Sequence, residues 1–204
     1  MALPLSVADL VRLHAEAVAR WHEAPVDPAH PEPFGALVMA NHAFNFRLWH
    51  EEDQARDPAA DDAVIAQVKR NIDRLNQQRT DAFEKIDDWV VAALAAAGVR
   101  AAPDAPLNSE TVGSIVDRLS ILALKVFHMD EQARRPDADE AHRLTCAGRL
   151  AVLTEQRADL AGSLEALVAD LWAGRKRFKV YRQMKMYNDP ALNPVLYGKG
   201  RGGA

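Results

Sequence analysis

Residues 48–57 read LWHEEDQARD, and residues 126–135 read VFHMDEQARR. The two decapeptides lie 78 positions apart. The same offset aligns PAADDA (58–63) with PDADEA (136–141), and LNQQRTD (75–81) with LTEQRAD (153–159). From Leu48 to Ala82 the ungapped alignment holds 12 identities in 35 positions. Helical hairpins built from Ala, Leu, Glu and Arg share some likeness through composition alone. A gapless match that runs across a proline-marked turn goes beyond that, and a duplicated hairpin is the reading adopted.

Apolar residues recur at helical spacing along most of the chain, with no convincing alternating strand pattern, so the fold class is all-α. A first helix begins after Ser6, whose hydroxyl can cap it with Asp9 three residues on, and ends before PVDPAHPEP. A second runs from about Phe34 to Arg56, stopped by Asp57 and Pro58. A third starts near Asp61 and runs to Ala97, with Gly98 as its stop. A fourth begins at Ser109, whose hydroxyl would cap it, and ends near Arg135. A fifth spans about Asp137 to Ala173, terminated by Gly174. Short turns make each hairpin antiparallel, and VRAAPDAPLN (99–108) is long enough for an up-down-up-down bundle. The expected architecture is therefore a bundle domain over 1–174 with an internal repeat of 35–95 and 113–173. An N-terminal helix precedes the repeat and a basic tail over 175–204 follows it. A pseudo-twofold axis along the bundle puts His50 and His128 at the same end.

At 204 residues, the chain can bury a substantial core as one domain. Its 49% hydrophobic and 26% charged residues exclude a disordered composition. Cys146 is the single cysteine, which excludes an intrachain disulfide and a cysteine-rich metal cage and fits a reducing cytoplasm. The N-terminal stretch is interrupted by Asp9, Arg12 and His14, so it lacks a signal peptide's apolar block, and no run has the length of a transmembrane segment. The net charge of −4 conceals an asymmetry: residues 175–204 carry eight Lys and Arg against Asp189 alone, about +7, leaving about −11 on the rest. Such a tail seeks an anionic surface, and the nearest is its own body. Phe178, Tyr181, Tyr187 and Tyr197 interleave with the basic residues, as in single-strand nucleic-acid binders. The spacing of Phe178, Tyr181, Met184 and Lys185 instead suggests a short helical start that packs on the bundle or on a partner, so nucleic acid is not the expected ligand.

The stretches NHAFNFRLWHEEDQAR, NSETVGSIVDRLSILALKVFHM and YRQMKMYNDPALNPVLY resemble the bacterial domain-of-unknown-function family 4254, over nearly the whole chain. The family has no established activity. Its members are often found near genes for cell-surface glycan glycosyltransferases, so the resemblance implies a glycan-biosynthesis context by association alone.

Two groups of residues carry chemistry. Asn41, Asn45, Trp49 and Glu52 share one face of the second helix. Counting from the turns places Asn41, Arg79, Asp117 and Arg157 in one layer, with Asp81 and Asp159 close by. That layer reads first as a buried salt-bridge and amide network that sets helix register, since buried charges must be paired. Read functionally, the two arginines form an anion site for phosphate or carboxylate. At the other end, His50 with Asp53 and His128 with Glu131 form two i,i+3 pairs that could hold zinc, iron or manganese. Ferritin-like bundles use Glu-x-x-His, and this chain reverses the order. A solvated hairpin end with local ion pairs is the simpler reading, and the sequence requires no cofactor.

The reading that follows is a cytoplasmic binding or accessory module for an anionic small molecule or a partner protein, with a homodimer among the partners expected. The alternative is a metal-dependent or acid/base enzyme with its site inside the bundle. A module predicts Arg79, Asp117 and Arg157 fully paired and out of reach of any cavity, whereas an enzyme predicts an open pocket with unpaired carboxylates.

Overall fold

The computed structural model describes residues 3–183 and 191–193. These residues form five α-helices: α1 (Val7–Glu23), α2 (Pro33–Gln54), α3 (Asp62–Ala96), α4 (Val112–Arg134) and α5 (Glu140–Trp172). Among the described residues no helix is long and apolar enough to cross a membrane. Turn chemistry sets the helix ends. The Asp61 carboxylate accepts from the Val64 amide at 2.8 Å to cap α3, and Asp139, 78 positions on, accepts from the His142 amide at 2.7 Å to cap α5. Gly98 (φ 67°) and Gly174 (φ 70°) follow the ends of α3 and α5 in the left-handed conformation that glycine adopts freely. The two ends meet, with the Ala102 amide donating to the Gly174 carbonyl at 2.9 Å.

The start of α4 differs from expectation. Thr111, not Ser109, is its cap: the Thr111 hydroxyl accepts from the Ser114 amide and the Ser114 hydroxyl accepts from the Thr111 amide. This reciprocal capping box satisfies two end donors where Ser109 could satisfy one. A third α4 donor, the Gly113 amide, bonds the buried Asp87 carboxylate of α3 at 2.6 Å. The helices touch so closely here that a Cβ on Gly113 would lie 2.1 Å from the Phe83 carbonyl oxygen.

Packing makes this a five-helix bundle. The hairpins α2–α3 and α4–α5 are the most extensive pairs, α2 packs directly on α4, and α3 also lies against α4. Helix α1 packs on α2, α4 and α5, taking the position beside α2 that a four-helix bundle would leave to α5. One core cluster joins α1 to all four other helices through Leu10, Phe34, Ile86, Leu119 and Leu164. A second, around Val18, Trp21, Met39, Phe46 and Leu124, fills the space among α1, α2 and α4.

Beyond α5 no short helix forms through residue 183. The Arg177 amide donates to the Pro106 carbonyl at 3.1 Å and its carbonyl accepts from the Asn108 amide at 2.7 Å, so the backbone is committed to an extended bridge. Phe178 packs against the main core, while Arg182 donates to Glu84 at 3.0 Å and to Asp88 at 2.6 Å on α3. Met184, Lys185, Tyr187 and Tyr197 lie outside the described residues.

Two consequences are measurable. Gly113→Ala must push α4 off α3, and should destabilise by about 1–3 kcal/mol in urea unfolding; a loss under about 0.5 kcal/mol would contradict the close approach. His14 and His42 are buried, and burial pushes their pKa values down, well below 6.5 for His14 and to about 3 for His42. Both are neutral when folded. Their contribution is complete above pH 6.5 and falls by about 1.4 kcal/mol per histidine for each pH unit below it. Asp87 acts oppositely. Burial raises its pKa to about 6, so its contribution grows as pH falls from 6 toward 3.8. Two histidines outweigh one carboxyl, and circular dichroism should show cooperative acid unfolding between pH 6 and 4; native ellipticity retained at pH 3.5 would contradict it.

Candidate functional site

The centre of the bundle holds a chain of hydrogen bonds that crosses from α1 to α3. His42 of α2 donates from Nε2 to the His14 carbonyl of α1 at 3.0 Å, which fixes its tautomer. Its Nδ1 then accepts from the Ser120 hydroxyl of α4 at 2.7 Å. His42 and Ser120 are 78 positions apart, the offset that relates the two similar decapeptides. The Asn45 amide donates to Ser120 at 3.0 Å and to Asp117 Oδ1 at 2.9 Å, and Asn41 donates to the same oxygen at 3.0 Å. Arg79 of α3 closes the chain as a fork: Nε lies 2.8 Å from Oδ1 and Nη2 lies 2.5 Å from Oδ2 of Asp117. Asn41, Asn45 and Asp117 are all buried, whereas the Arg79 side chain keeps 26% of its exposure.

Of the seven residues expected to form an anion site, the structure brings Asn41, Asn45, Arg79 and Asp117 together and leaves out three. Arg157 does not reach Asp117. It lies beside Ala15 of α1 and Phe127 of α4, because α1 stands where a four-helix arrangement would have let Arg157 point inward. Asp81 is exposed and accepts from Gln77 at 2.7 Å, since two residues along a helix from Arg79 is close to the opposite face. Asp159 is exposed for the same reason relative to Arg157. It lines an open hollow with Gln156 and Lys125, away from the network.

A groove of about 440 Å³ opens on the α2 face that carries Asn45, Trp49, Glu52, Asp53 and Arg56, with Arg79 as part of its floor. Four of these recur at i, i+4, i+7 and i+11, which places them along one helical stripe. Arg56 pairs with Glu52 at 3.1 Å. Asp53 has no ion pair or side-chain hydrogen bond among the described residues, and no bond from Arg79 Nη1 is found among them. Larger hollows exist, one of about 620 Å³ near Leu3 and Trp172 and one of about 650 Å³ between α4 and α5. Neither reaches the buried polar chain, and in the second Arg118 is already neutralised by Glu110 at 2.6 Å.

His50 and His128 meet, with ring centroids 5.9 Å apart, but their acid neighbours do not join them as a four-ligand set. Asp53 lines the groove, and Glu131 accepts from His128 Nδ1 at 2.8 Å. The third member is His22 of α1, 5.2 Å from the His50 ring and 5.0 Å from the His128 ring. Burial, followed by the two neighbouring imidazoles, pushes the His50 pKa down. Trp49 stacks on His128 at 4.8 Å, so one aromatic side chain touches both the groove and the histidines. His22 was not legible as a partner because α1 stands outside the repeat. His42 and Ser120 carried a usable signal, two polar residues at equivalent positions on otherwise apolar faces.

The network yields a double-mutant test. Arg79→Met strands a buried carboxylate and should cost about 3–5 kcal/mol, whereas Arg79→Met with Asp117→Leu should recover most of that. Arg157→Met should change stability by less than about 1 kcal/mol. Chemical denaturation of the variants measures each difference, and an additive double mutant would contradict the pairing.

No curated protein and no solved structure matches the chain. The family described as Protein of unknown function (DUF4254) matches residues 35–180, covering both hairpins, the polar network and the groove. The chain therefore belongs to the DUF4254 family.

Proposed function

We propose that the groove beside Trp49 binds a small anionic sugar-like molecule, and that the chain acts as a binding or accessory module. The observation that carries this reading is the convergence of an indole, a carboxylate without a cation and a guanidinium edge on one groove. An indole stacks on an apolar sugar face, and carboxylate and amide groups take hydroxyls. The remaining Nη1 edge of Arg79 can donate to a phosphate or carboxylate oxygen. Because Asp117 holds Nε and Nη2, that edge is ordered before a ligand arrives, which lowers the entropy cost of binding. A glycan precursor in the cytoplasm agrees with the context that family resemblance implies. The described part of the tail leaves the groove free, since its Arg182 is committed to Glu84 and Asp88.

A second reading has its own support. The expectation that no cavity would reach the network fails, because Arg79 lines an open groove, and Asp53 stands in it unpaired. Asp53 with Glu52 then supplies two carboxylates for acid/base work on a bound sugar. Calorimetric titration with sugar phosphates and nucleotide sugars tests both readings. The module is expected to bind one equivalent that Asp53→Asn and Trp49→Ala each weaken at least about tenfold, which corresponds to 1.4 kcal/mol, with melting unchanged in Asp53→Asn. Turnover lost in Asp53→Asn would favour the enzyme, and absence of binding across both ligand classes would refute the groove as the site.

A further inference from the structure

We infer that His22, His50 and His128 form a site for one borderline divalent transition metal of the zinc class, on the opposite side of Trp49 from the groove. One ring nitrogen from each histidine lies within 4.8 Å of the other two. Three nitrogens bound to a tetrahedral ion at 2.0–2.1 Å stand about 3.4 Å apart, so small side-chain rotations suffice to close the set. The site is built from three helices: His22 from the last turn of α1, His50 from α2 and His128 from the equivalent position on α4.

Hydrogen bonds at two of the three rings leave a nitrogen with a free lone pair. His22 Nδ1 donates to the Val18 carbonyl at 2.7 Å, leaving Nε2 as a bare lone pair. His128 Nδ1 donates to the Glu131 carboxylate at 2.8 Å, again leaving Nε2 bare. A carbonyl or carboxylate behind the outer ring nitrogen is how metal-bound imidazoles are held. His128 Nε2 is moreover buried with no hydrogen-bond partner. A buried acceptor left without a partner is destabilising in a purely structural cluster, and a metal would satisfy it. Aromatic packing holds the rings in place, with His22 stacked on Phe127 at 4.5 Å and His128 on Trp49. His22 is exposed, so a water or a ligand donor can complete the coordination.

The donor set decides the ion. Three imidazoles, with no thiolate and no carboxylate among the facing atoms, suit zinc, cobalt, nickel or copper rather than magnesium or calcium. The role of the carboxylates also differs from a four-ligand His/acid site: Glu131 orients a ligand and Asp53 serves the groove.

The test is titration of the purified, metal-stripped full chain with Co(II), read by visible absorption, with Zn(II) displacement followed by calorimetry. One equivalent with a tetrahedral cobalt spectrum is expected, and His22→Ala and His50→Ala should each abolish that spectrum. Glu131→Gln should weaken binding by about ten- to a hundredfold with the fold intact by circular dichroism, and this variant keeps the test open if a histidine substitution prevents folding. No cobalt binding, or binding that survives unchanged in folded His22→Ala, would overturn the site. Groove ligands are absent from the titration, so its outcome is independent of the groove's ligand.

Discussion

The Asp117 carboxylate is the interaction on which the arrangement depends. A single buried charge receives Asn41 and Asn45 from α2 and a two-pronged guanidinium from α3, while sitting on α4. Burying such a charge alone would cost several kcal/mol, so it is tolerated only where these donors converge. That requirement ties three helices to one rotational setting. Through Ser120 and His42 it reaches the backbone of α1 as well. Apolar packing around Phe34, Ile86 and Leu164 supplies bulk burial but tolerates sliding, whereas a directional network does not.

This constraint also shapes the surface chemistry. With its Nε and Nη2 held by Asp117, Arg79 can present only its remaining edge outward, into the groove where Trp49 and Asp53 lie. The groove is thus floored by a charge whose position the core fixes. Trp49 carries the connection further, since its ring stacks on His128 and so abuts the three-histidine cluster. The buried relay, the groove and the cluster all use the α2 stripe from Asn41 to Asp53. The stripe's polar residues look out of place on a core helix until each is assigned to one of the three.

The 78-residue offset relates the residues that pair between α2 and α4, and α1 departs from that pattern. Equivalent residues meet near the central α2–α4 contact, as His42 with Ser120 and His50 with His128 do. Away from that contact the copies diverge. Arg79 enters the network, while its counterpart Arg157 is set apart, because α1 lies along α4 and α5 on that side. The same helix brings His22 to the pair of repeat histidines, so breaking the symmetry removes one arginine and adds one imidazole.

Helix type and several helix ends were legible in the chain because they follow from local spacing and turn residues: the start near Asp61 and the stops at Gly98 and Gly174. The starts of α4 at Thr111 and of α5 at Asp139 were not, because neighbouring Ser109 and Asp137 offered equally good local capping chemistry. Membership of Asn41, Arg79 and Asp117 in one layer could be counted from the turns, since helical rise is constant. Which side of a helix faces a neighbour could not be counted, because that depends on how many helices share the core. The place of α1 decided that Arg157 stays outside the network and that His22 completes a cluster. Contacts between residues far apart in sequence leave no periodic trace, so only the packed structure assigned them.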